Sequence, residues 1–334
     1  MINPPYLHLG ITKNELMLKT FLMMTIIAFG SVIIMGLNAF IHIIIALGIV
    51  LTVYGIIYSY QIWKGIDPTY ESPASPLVTG MIVGLAMPIA SPYEVTAGVA
   101  LLTILIFKYG QGKYFKRKFL NPVAAAKTLL LVVLSLMFVI ENSLNIGMIF
   151  HTHHLNLNLL TADGFQDSMW IFQRETFLGI DLSATLSLMF WQTHGWIGGA
   201  CGVLVLIVGS IAAYWLRYKW RIIVATISTM TVLAIIIGFI SGSDPILRIA
   251  FHVFTGSVIF MIFFMATEPQ STPMPERSQY LFGIALAVLT FVLQLLNVLG
   301  GSIIALVLLN LLTPLLDKIG IKTPYGHRAS KGGA

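Results

Sequence analysis

A short run of hydroxyl and small residues has the types and spacing best suited to chemistry. Ser183, Ala184 and Thr185 follow Asp181 in a mixed polar and apolar stretch of the 334-residue chain. Small residues before a threonine let an enzyme or ligand approach its hydroxyl closely, so Thr185 is a candidate attachment point. The tripeptide alone favours the alternative of a structural turn or a helix cap.

Two other groups could bind a metal or carry electrons. His151, His153 and His154 have the spacing of metal ligands on a short loop, but no carboxylate or thiol accompanies them at a fixed spacing. We therefore favour solvated loop histidines. Cys201 is the single cysteine, which excludes an intrachain disulfide and a cysteine-ligated iron–sulfur cluster. Any redox work must use a cofactor that is held another way.

A basic pair lies further along the chain, at the start of an apolar run. Arg248 and His252 are four residues apart, so a helix would bring them to one face. A charged residue at the bilayer centre costs at least about 2.5–3.5 kcal/mol. Arg248 should therefore lie at the membrane interface, facing lipid headgroups or an anionic ligand.

Few charges surround these candidate residues. Charged residues make up 10% of the chain and hydrophobic residues 57%, whereas soluble domains carry roughly 25% charged residues. A water-soluble fold is excluded, so the bilayer must be the solvent for most of the chain. The net charge of +6 then records orientation in the membrane and gives no reason to expect a nucleic-acid partner.

The apolar runs predict an all-α polytopic membrane protein with about ten transmembrane helices. A span needs roughly 20 apolar residues. The segments that reach or approach this length are 20–36, 38–61, 76–90, 94–108, 122–140, 198–216, 222–241, 246–266, 280–298 and 301–316. The third and fourth are short and broken by Pro88 and Pro92. The chain thus divides into a first repeat (1–140), an outward-facing loop (141–197) and a second repeat (198–334).

The basic residues orient these spans. With the N-terminus inside, all but two of the 19 Lys and Arg residues fall on the cytoplasmic side, where the positive-inside rule expects them. The exceptions are Arg174 and Arg248. Lys108 is taken here as a loop residue, and Lys127 as a side chain that snorkels back to the cytoplasmic surface. Both termini are predicted to be cytoplasmic, in the cell membrane, with Thr185 outside and an N-terminus that is retained.

The two halves of the chain look like inverted five-helix repeats. A Thr-Gly pair, an apolar run and a proline occur at 79–88 and again at 255–269, and each half then offers an Asn and a Pro near its last span. Five spans separate the copies, and an odd number reverses their direction. The third and eighth helices would then be a broken pair near the midplane, where transporters place ligand sites. Chance strings in a Gly-rich membrane protein are the alternative.

Strings of residues in a shared order show a resemblance over nearly the whole chain. They are Thr79-Gly80…Leu85-Ala-Met-Pro88, Gly112-Lys-Tyr-Phe…Phe119-Leu-Asn121-Pro122, Arg248…His252-Val-Phe-Thr255-Gly256…Thr267-Glu-Pro269, Asn310…Pro314-Leu-Leu-Asp317 and Pro324-Tyr325-Gly326-His327-Arg328. With them the chain resembles the Rnf D protein of the ferredoxin:NAD oxidoreductase complex and the homologous Nqr B protein of the sodium-pumping NADH:quinone reductase. Its compact N-terminus looks more like the Rnf protein.

The resemblance implies a covalent flavin. In that family a threonine of a Ser-(Gly/Ala)-Ala-Thr-like motif carries FMN through a phosphoester bond, which a flavin transferase makes on the outer side of the membrane. Thr185 is the matching position. Two departures stand out: Asp181 lies closer to the threonine than the acid does in the commoner spacing, and Leu186 stands where the family often has proline.

A second, noncovalent flavin, riboflavin, is implied nearer the cytoplasmic side. Asn121 and the preceding turn at 110–112 could bind its edge. Equally, Asn121 could simply cap the fifth helix, with Pro122 in the first turn. Arg248 could meet a flavin phosphate instead of lipid headgroups, with His252 on the same face.

The resemblance further implies a membrane component of an Rnf-type electron-transport complex, active only with other subunits. It would relay electrons through its flavins and couple ferredoxin:NAD+ chemistry to Na+ or H+ translocation. Its expected partners are the covalent-flavin G-type subunit, the small membrane A- and E-type subunits, and membrane lipid. The alternatives are the Nqr B protein of the quinone reductase and a urea- or ammonium-type solute channel. The basic residues at 113–118 are a positive-inside signal or a docking site for an acidic partner.

Overall fold

The computed structural model describes residues 12–65, 72, 74–115, 118–144, 182–191, 195–216, 218–254, 258–296 and 301–320. The helices in these ranges are α1 (Lys13–Met35), α2 (Leu37–Trp63), α3 (Ala74–Leu85), α4 (Tyr93–Phe115), α5 (Pro122–Leu144), α6 (Leu182–Phe190), α7 (Gly202–Trp215), α8 (Trp220–Ser241), α9 (Pro245–Phe254), α10 (Val258–Phe264), α11 (Glu276–Leu295) and α12 (Gly301–Gly320). Two stretches are π-helical: Thr103–Gly110 within α4 and Ala250–Phe254 within α9.

The apolar helices lie where the sequence predicts them. Every predicted segment overlaps one of these helices or, for the eighth segment, the α9–α10 pair. By length and composition, six helices of the described chain can cross a membrane, or seven if α9 and α10, bent by 53°, form one broken span. The helices α3 and α7 are apolar but shorter. The chain is therefore a multi-pass membrane protein, while the number of ten spans stays a prediction.

The outer faces of the long helices are apolar. Phe29 on α1 is 70% exposed and Phe239 on α8 is 75% exposed. In water such surfaces would drive aggregation, but in a bilayer they contact acyl chains at no cost. The low burial of α1 and α2 thus follows from their sequence, because residues that are apolar on every side need no protein partner when lipid surrounds them.

The interrupted helices form the centre of the bundle. All residues of α10 are buried, and α3 is buried along most of its length between α1 and α2. The link between α3 and α4 is closed by a short antiparallel bridge between Pro88 and Trp196. Ile89 N–H donates to Gly195 O (3.1 Å) and Ile197 N–H donates to Met87 O (2.9 Å). The bridge satisfies backbone groups that lipid could not solvate.

The fourth helix differs from its prediction. It begins after Pro92, which stands at its N-terminal cap, and continues through the π-helical stretch to Phe115. The prediction of a short fourth span over 94–108 was therefore wrong. The wider π turns keep the helix continuous past Lys108, which the sequence had indicated as the start of a loop.

Two lysines predicted at the cytoplasmic surface are buried instead. Lys108 is 4% exposed, and its ammonium donates to Ser75 O (2.8 Å) and to Thr79 Oγ1. Lys127 is 5% exposed; its ammonium donates to Ala86 O at the end of α3 and lies 3.6 Å from the centre of the Trp196 ring. Carbonyl oxygens and an aromatic face replace water around a buried cation. The predictions of a loop position and of snorkelling were wrong.

The contact of α7 with α10 depends on a glycine. A Cβ atom at Gly209 would lie 2.5 Å from Phe263 Cγ, whereas one at Gly48 on α2 would meet nothing within 4 Å. We expect Gly209→Ala to lower the free energy of unfolding by about 1–3 kcal/mol, because the buried ring has no room to move. Gly48→Ala is the matched control and should be neutral or slightly stabilising. Equal unfolding midpoints of the two variants in detergent would contradict this.

Tyr218 connects the end of α7 with α1. Thr20 Oγ1 donates to Leu16 O (2.9 Å), so its oxygen accepts the hydroxyl proton of Tyr218 at 2.6 Å. Burial raises the pKa of Tyr218 from 10.0 to about 12, because a phenolate would be poorly solvated there. The tyrosine contributes to stability only while it is neutral.

This raised pKa gives the stability of the protein an alkaline limit. The contribution of Tyr218 is complete below pH 10.0 and is lost as the pH rises toward about 12. We expect Tyr218→Phe to be less stable near neutral pH by about 1 kcal/mol but to lose less stability across that window. Thermal unfolding in detergent at stepped pH measures both effects. Tyr214→Phe, at a tyrosine that is 83% exposed, should keep the original slope, and a parallel slope for Tyr218→Phe would disprove the assignment.

Candidate functional site

Thr185 lies in the first turn of α6, a helix within the stretch predicted as a loop. The residue is 4% exposed, and among the described residues its Oγ1 has no hydrogen-bond partner. Other helical threonines of this chain, such as Thr226 and Thr231, donate to the carbonyl four residues earlier. For Thr185 that residue would be Asp181, which precedes the helix. Its hydroxyl is thus available for another bond.

The helix that carries Thr185 packs on the broken eighth helix. Leu188 of α6 joins Leu247, Ala250 and Phe251 of α9 in one apolar cluster, and α6 also contacts α7. The sequence separates Thr185 from Arg248 and His252 by more than sixty positions, yet the structure brings their helices into contact. The contact involves the π-helical part of α9, a feature that is frequent at functional sites.

Arg248 and His252 have different partners. Arg248 Nε–H donates to Ser243 Oγ at 2.7 Å. His252 is fully buried, and its Nδ1–H donates to Gln294 Oε1 at 3.1 Å while its ring lies 4.3 Å from that of Phe291. The π-helical stretch begins at Ala250, between the two residues, so they do not act as an ordinary i,i+4 pair.

The partners of His252 were not predicted from the sequence. Gln294 is 4% exposed in the interior of α11, and nothing in the local sequence connects it with α9. Its one available signal is a polar amide within an apolar run, since polar side chains inside spans face the bundle and are often functional.

Asn121 caps α5 and joins the two halves of the chain. Its Oδ1 accepts the N–H groups of Val123 and Ala124, both at 3.1 Å, and its Nδ2 donates to Met265 O at 3.1 Å. Its own backbone N–H donates to Asn310 Oδ1 at 2.9 Å. These contacts are those of the helix-cap alternative; a role toward a flavin stays a prediction.

Several candidate residues fall beyond this description. Asp181 and the three histidines at 151, 153 and 154 lie outside the described residues, and Ser183 and Ala184 are described only as backbone of the first turn of α6. Among the residues that are described, no cluster of three His, Cys, Asp or Glu side chains could hold a metal ion.

The apolar helices, the interrupted central pair and the bridged break define a polytopic helical membrane protein. Residues 1–326 match the model of the NQR2, RnfD, RnfE family. The chain belongs to this family, which confirms the resemblance drawn from the motifs.

Similar proteins from several bacteria cover most of the chain. The RnfD-type component of the proton-translocating ferredoxin:NAD(+) oxidoreductase complex of Clostridium ljungdahlii is 26% identical, over 78% of this chain and 77% of that protein. The corresponding component of the ion-translocating oxidoreductase complex of Shewanella sediminis is 24% identical, over 77% of this chain and 78% of its own length. The homologous component of the Na(+)-translocating NADH-quinone reductase of Pseudoalteromonas atlantica is also 24% identical, over 77% of this chain but 62% of its own.

Proposed function

We propose that this chain is the RnfD-type membrane component of an Rnf-type oxidoreductase complex and relays electrons through FMN bound covalently to Thr185. The observation that carries the proposal is the buried Thr185 hydroxyl, which has no hydrogen-bond partner among the described residues. The family and the names of the relatives from oxidoreductase complexes support the same assignment. The Nqr B protein of the quinone reductase is the alternative within the family, and that relative is matched over a smaller share of its length.

The residues fit this cofactor in their donor chemistry. When bound, FMN would supply reversible one- and two-electron transfer. Thr185 Oγ1 would become the ester oxygen to phosphorus and lose its proton on attachment. Arg248, half-buried on the helix that α6 contacts, would offer a cationic partner for a phosphate. Ser183, Ala184 and Asp181 would complete the motif around the threonine.

The burial of Thr185 bears on the order of assembly. A side chain that is 4% exposed cannot enter the active site of a transferase. We therefore expect flavin attachment to precede the packing of α6 on α9, or to require α6 to open.

A second, noncovalent flavin, riboflavin, belongs to the proposal on the family resemblance. Asn121 remains its candidate ligand, but both acceptor sites of its Oδ1 are used by the helix cap. Gln111 in the preceding turn likewise accepts the N–H groups of Phe119 and Leu120. A ligand would therefore meet Asn121 only through its Nδ2 group.

We propose further that the chain is built from two inverted five-helix repeats with ten spans. The packing supports this, since contacts recur in matching order: α1 and α2 pack on α3 and α2 on α4, while α7 packs on α10, α8 on α9 and α8 on α11. The halves meet through α1 with α7 and α5 with α12. Such pairing of like-numbered helices is expected around a two-fold axis in the membrane plane.

The orientation and partners complete the proposal. Lys118 and Glu268 lie 3.6 Å apart, which supports the prediction that both loops are on one side, the cytoplasmic side. The relatives named as parts of complexes support association with further Rnf subunits, among them the G-type, A-type and E-type subunits. Redox change in the flavins would drive Na+ or H+ across the cell membrane.

The experiment that tests the proposal is an intact-mass measurement. The full chain, produced together with a flavin transferase, should be heavier than its sequence by one esterified FMN, and digestion should locate the addition on the peptide that contains Thr185. An unmodified mass, with a functional transferase confirmed on a known substrate, would overturn the proposal.

A further inference from the structure

A cavity of about 660 Å³ opens at the end of the bundle where α7 ends and α8 begins. It lies between α7, α8, α10 and α11, away from Thr185, and its inner walls include Ala213, Val224 and Phe263. Aromatic side chains surround its mouth: Tyr214 is 83% exposed and Trp220 is 47% exposed. Exposed Tyr and Trp residues at helix ends are typical of the membrane–water interface. The cavity is therefore an interfacial groove with an apolar interior.

The groove contains a buried acceptor. Gln279, in the first turns of α11, is 6% exposed and lines the cavity. Its Nε2 donates to Met274 O at 2.9 Å, but its Oε1 has no hydrogen-bond partner within the described part of the chain. A buried carbonyl oxygen without a partner is unfavourable. A molecule that fits the groove and carries an O–H or N–H donor would satisfy it.

The rim of the groove is basic. Arg221 Nη2 donates to Glu276 Oε1 at 2.6 Å, and the guanidinium lies 5.0 Å from the centre of the Trp220 ring. Lys219 donates to Thr272 O and to its Oγ1, both at 2.8 Å. The carboxylate is 71% exposed but the guanidinium only 25%, so water screens the acid more than the base. The two cations facing one acid favour an anionic ligand.

We propose that this groove binds one anionic phospholipid of the phosphatidylglycerol type. An acyl chain lies along Ala213, Val224 and Phe263, the phosphate faces Arg221 at the rim, and a headgroup hydroxyl donates to Gln279 Oε1. Basic pockets between transmembrane helices are known sites for anionic headgroups. Phosphatidylcholine offers no donor for the glutamine and no net negative charge, and a quinone offers only carbonyl acceptors. The site does not depend on flavin attachment.

Native mass spectrometry of the full chain in detergent tests this site. After delipidation the protein is titrated with phosphatidylglycerol or with phosphatidylcholine of identical acyl chains. We expect one tightly bound phosphatidylglycerol, preferred at least about tenfold over phosphatidylcholine, and a loss of about tenfold in affinity for Gln279→Leu or Arg221→Gln, the size expected for a hydrogen bond to a charged or buried group. Gln61→Leu, the same change at a buried glutamine of α2, is the control and should keep the preference.

Lipid-dependent stabilisation provides a second readout that separates binding from folding. Phosphatidylglycerol should raise the thermal unfolding midpoint of the native chain and of Gln61→Leu, but not that of Gln279→Leu measured from its own lipid-free midpoint. Equal binding of the two lipids, or unchanged phosphatidylglycerol affinity in both groove variants, would leave only adventitious surface lipid and overturn the proposal. A partner protein seated in the groove of the purified complex would also overturn it.

Discussion

Thr185→Ala should leave the chain with no covalent flavin. Alanine has no oxygen to form the phosphoester, so the loss is complete rather than graded. The native chain, produced with a flavin transferase, should fluoresce in a denaturing gel and carry the added mass, whereas the variant should show neither. Because the Thr185 hydroxyl makes no hydrogen bond within the described residues, its removal should leave the stability of the apoprotein nearly unchanged.

Two variants on the same helix make this result specific. Ser187→Ala removes an exposed hydroxyl two residues later and should keep full fluorescence. Thr185→Ser keeps the nucleophilic oxygen and should restore some of the label. Fluorescence that persists in Thr185→Ala, or that disappears equally in Ser187→Ala, would show that the flavin is attached elsewhere or that α6 was disrupted.

Asn310→Leu should produce the largest loss of stability, about 2–4 kcal/mol in the free energy of unfolding. Asn310 is 1% exposed on α12, where its Oδ1 accepts the N–H of Asn121 at 2.9 Å and its Nδ2 donates to Ser271 O at 3.1 Å. Leucine fills the same space but leaves the buried N–H of Asn121 without an acceptor. Thr313 still donates to Ser271 O at 3.0 Å, so the loss comes mainly from position 121.

The contact with Asn121 can be tested only from position 310. Because the donor is a backbone N–H, no substitution of the Asn121 side chain removes it. Asn38→Leu is the matched control, since Asn38 accepts an exposed hydrogen bond from Tyr93 at 3.2 Å, and its loss should stay below about 0.5 kcal/mol. Unfolding of the full chains in mixed micelles with increasing denaturing detergent gives both values. Equal losses would mean that the contact between the halves contributes nothing.

The positions of the helices could be predicted because their cause is local. A run of about 20 apolar residues must cross the bilayer as a helix, since lipid offers no partner for backbone groups. The helix over Leu182–Phe190 was missed because its nine residues are too few for a span and follow a polar stretch. Lys108 was misplaced because a charge ordinarily ends a span, and here backbone and hydroxyl oxygens of α3 solvate the ammonium.

The candidate site was predictable in its residues but not in its contacts. The Asn-Pro pair predicts the cap of α5 from neighbouring residues alone, and the structure has that cap. The bonds from Asn121 to Met265 and Asn310 join positions 144 and 189 residues apart, which no local pattern encodes. The same holds for Gln294 beside His252. Whether Thr185 carries flavin is a question of chemistry that neither helix periodicity nor spacing decides.

The bridge between Pro88 and Trp196 limits how far α6 can travel. The helix ends at Phe190, and the bridged strand begins at Gly195, so a connection of five residues spans at most roughly 17 Å when fully extended. A flavin transferase can therefore reach Thr185 if α6 swings away as a hinged flap, while its C-terminal end remains tethered to the break after α3. On closing, the flap returns to the same seat on α9, so that a group attached to it is delivered to one reproducible position in the bundle.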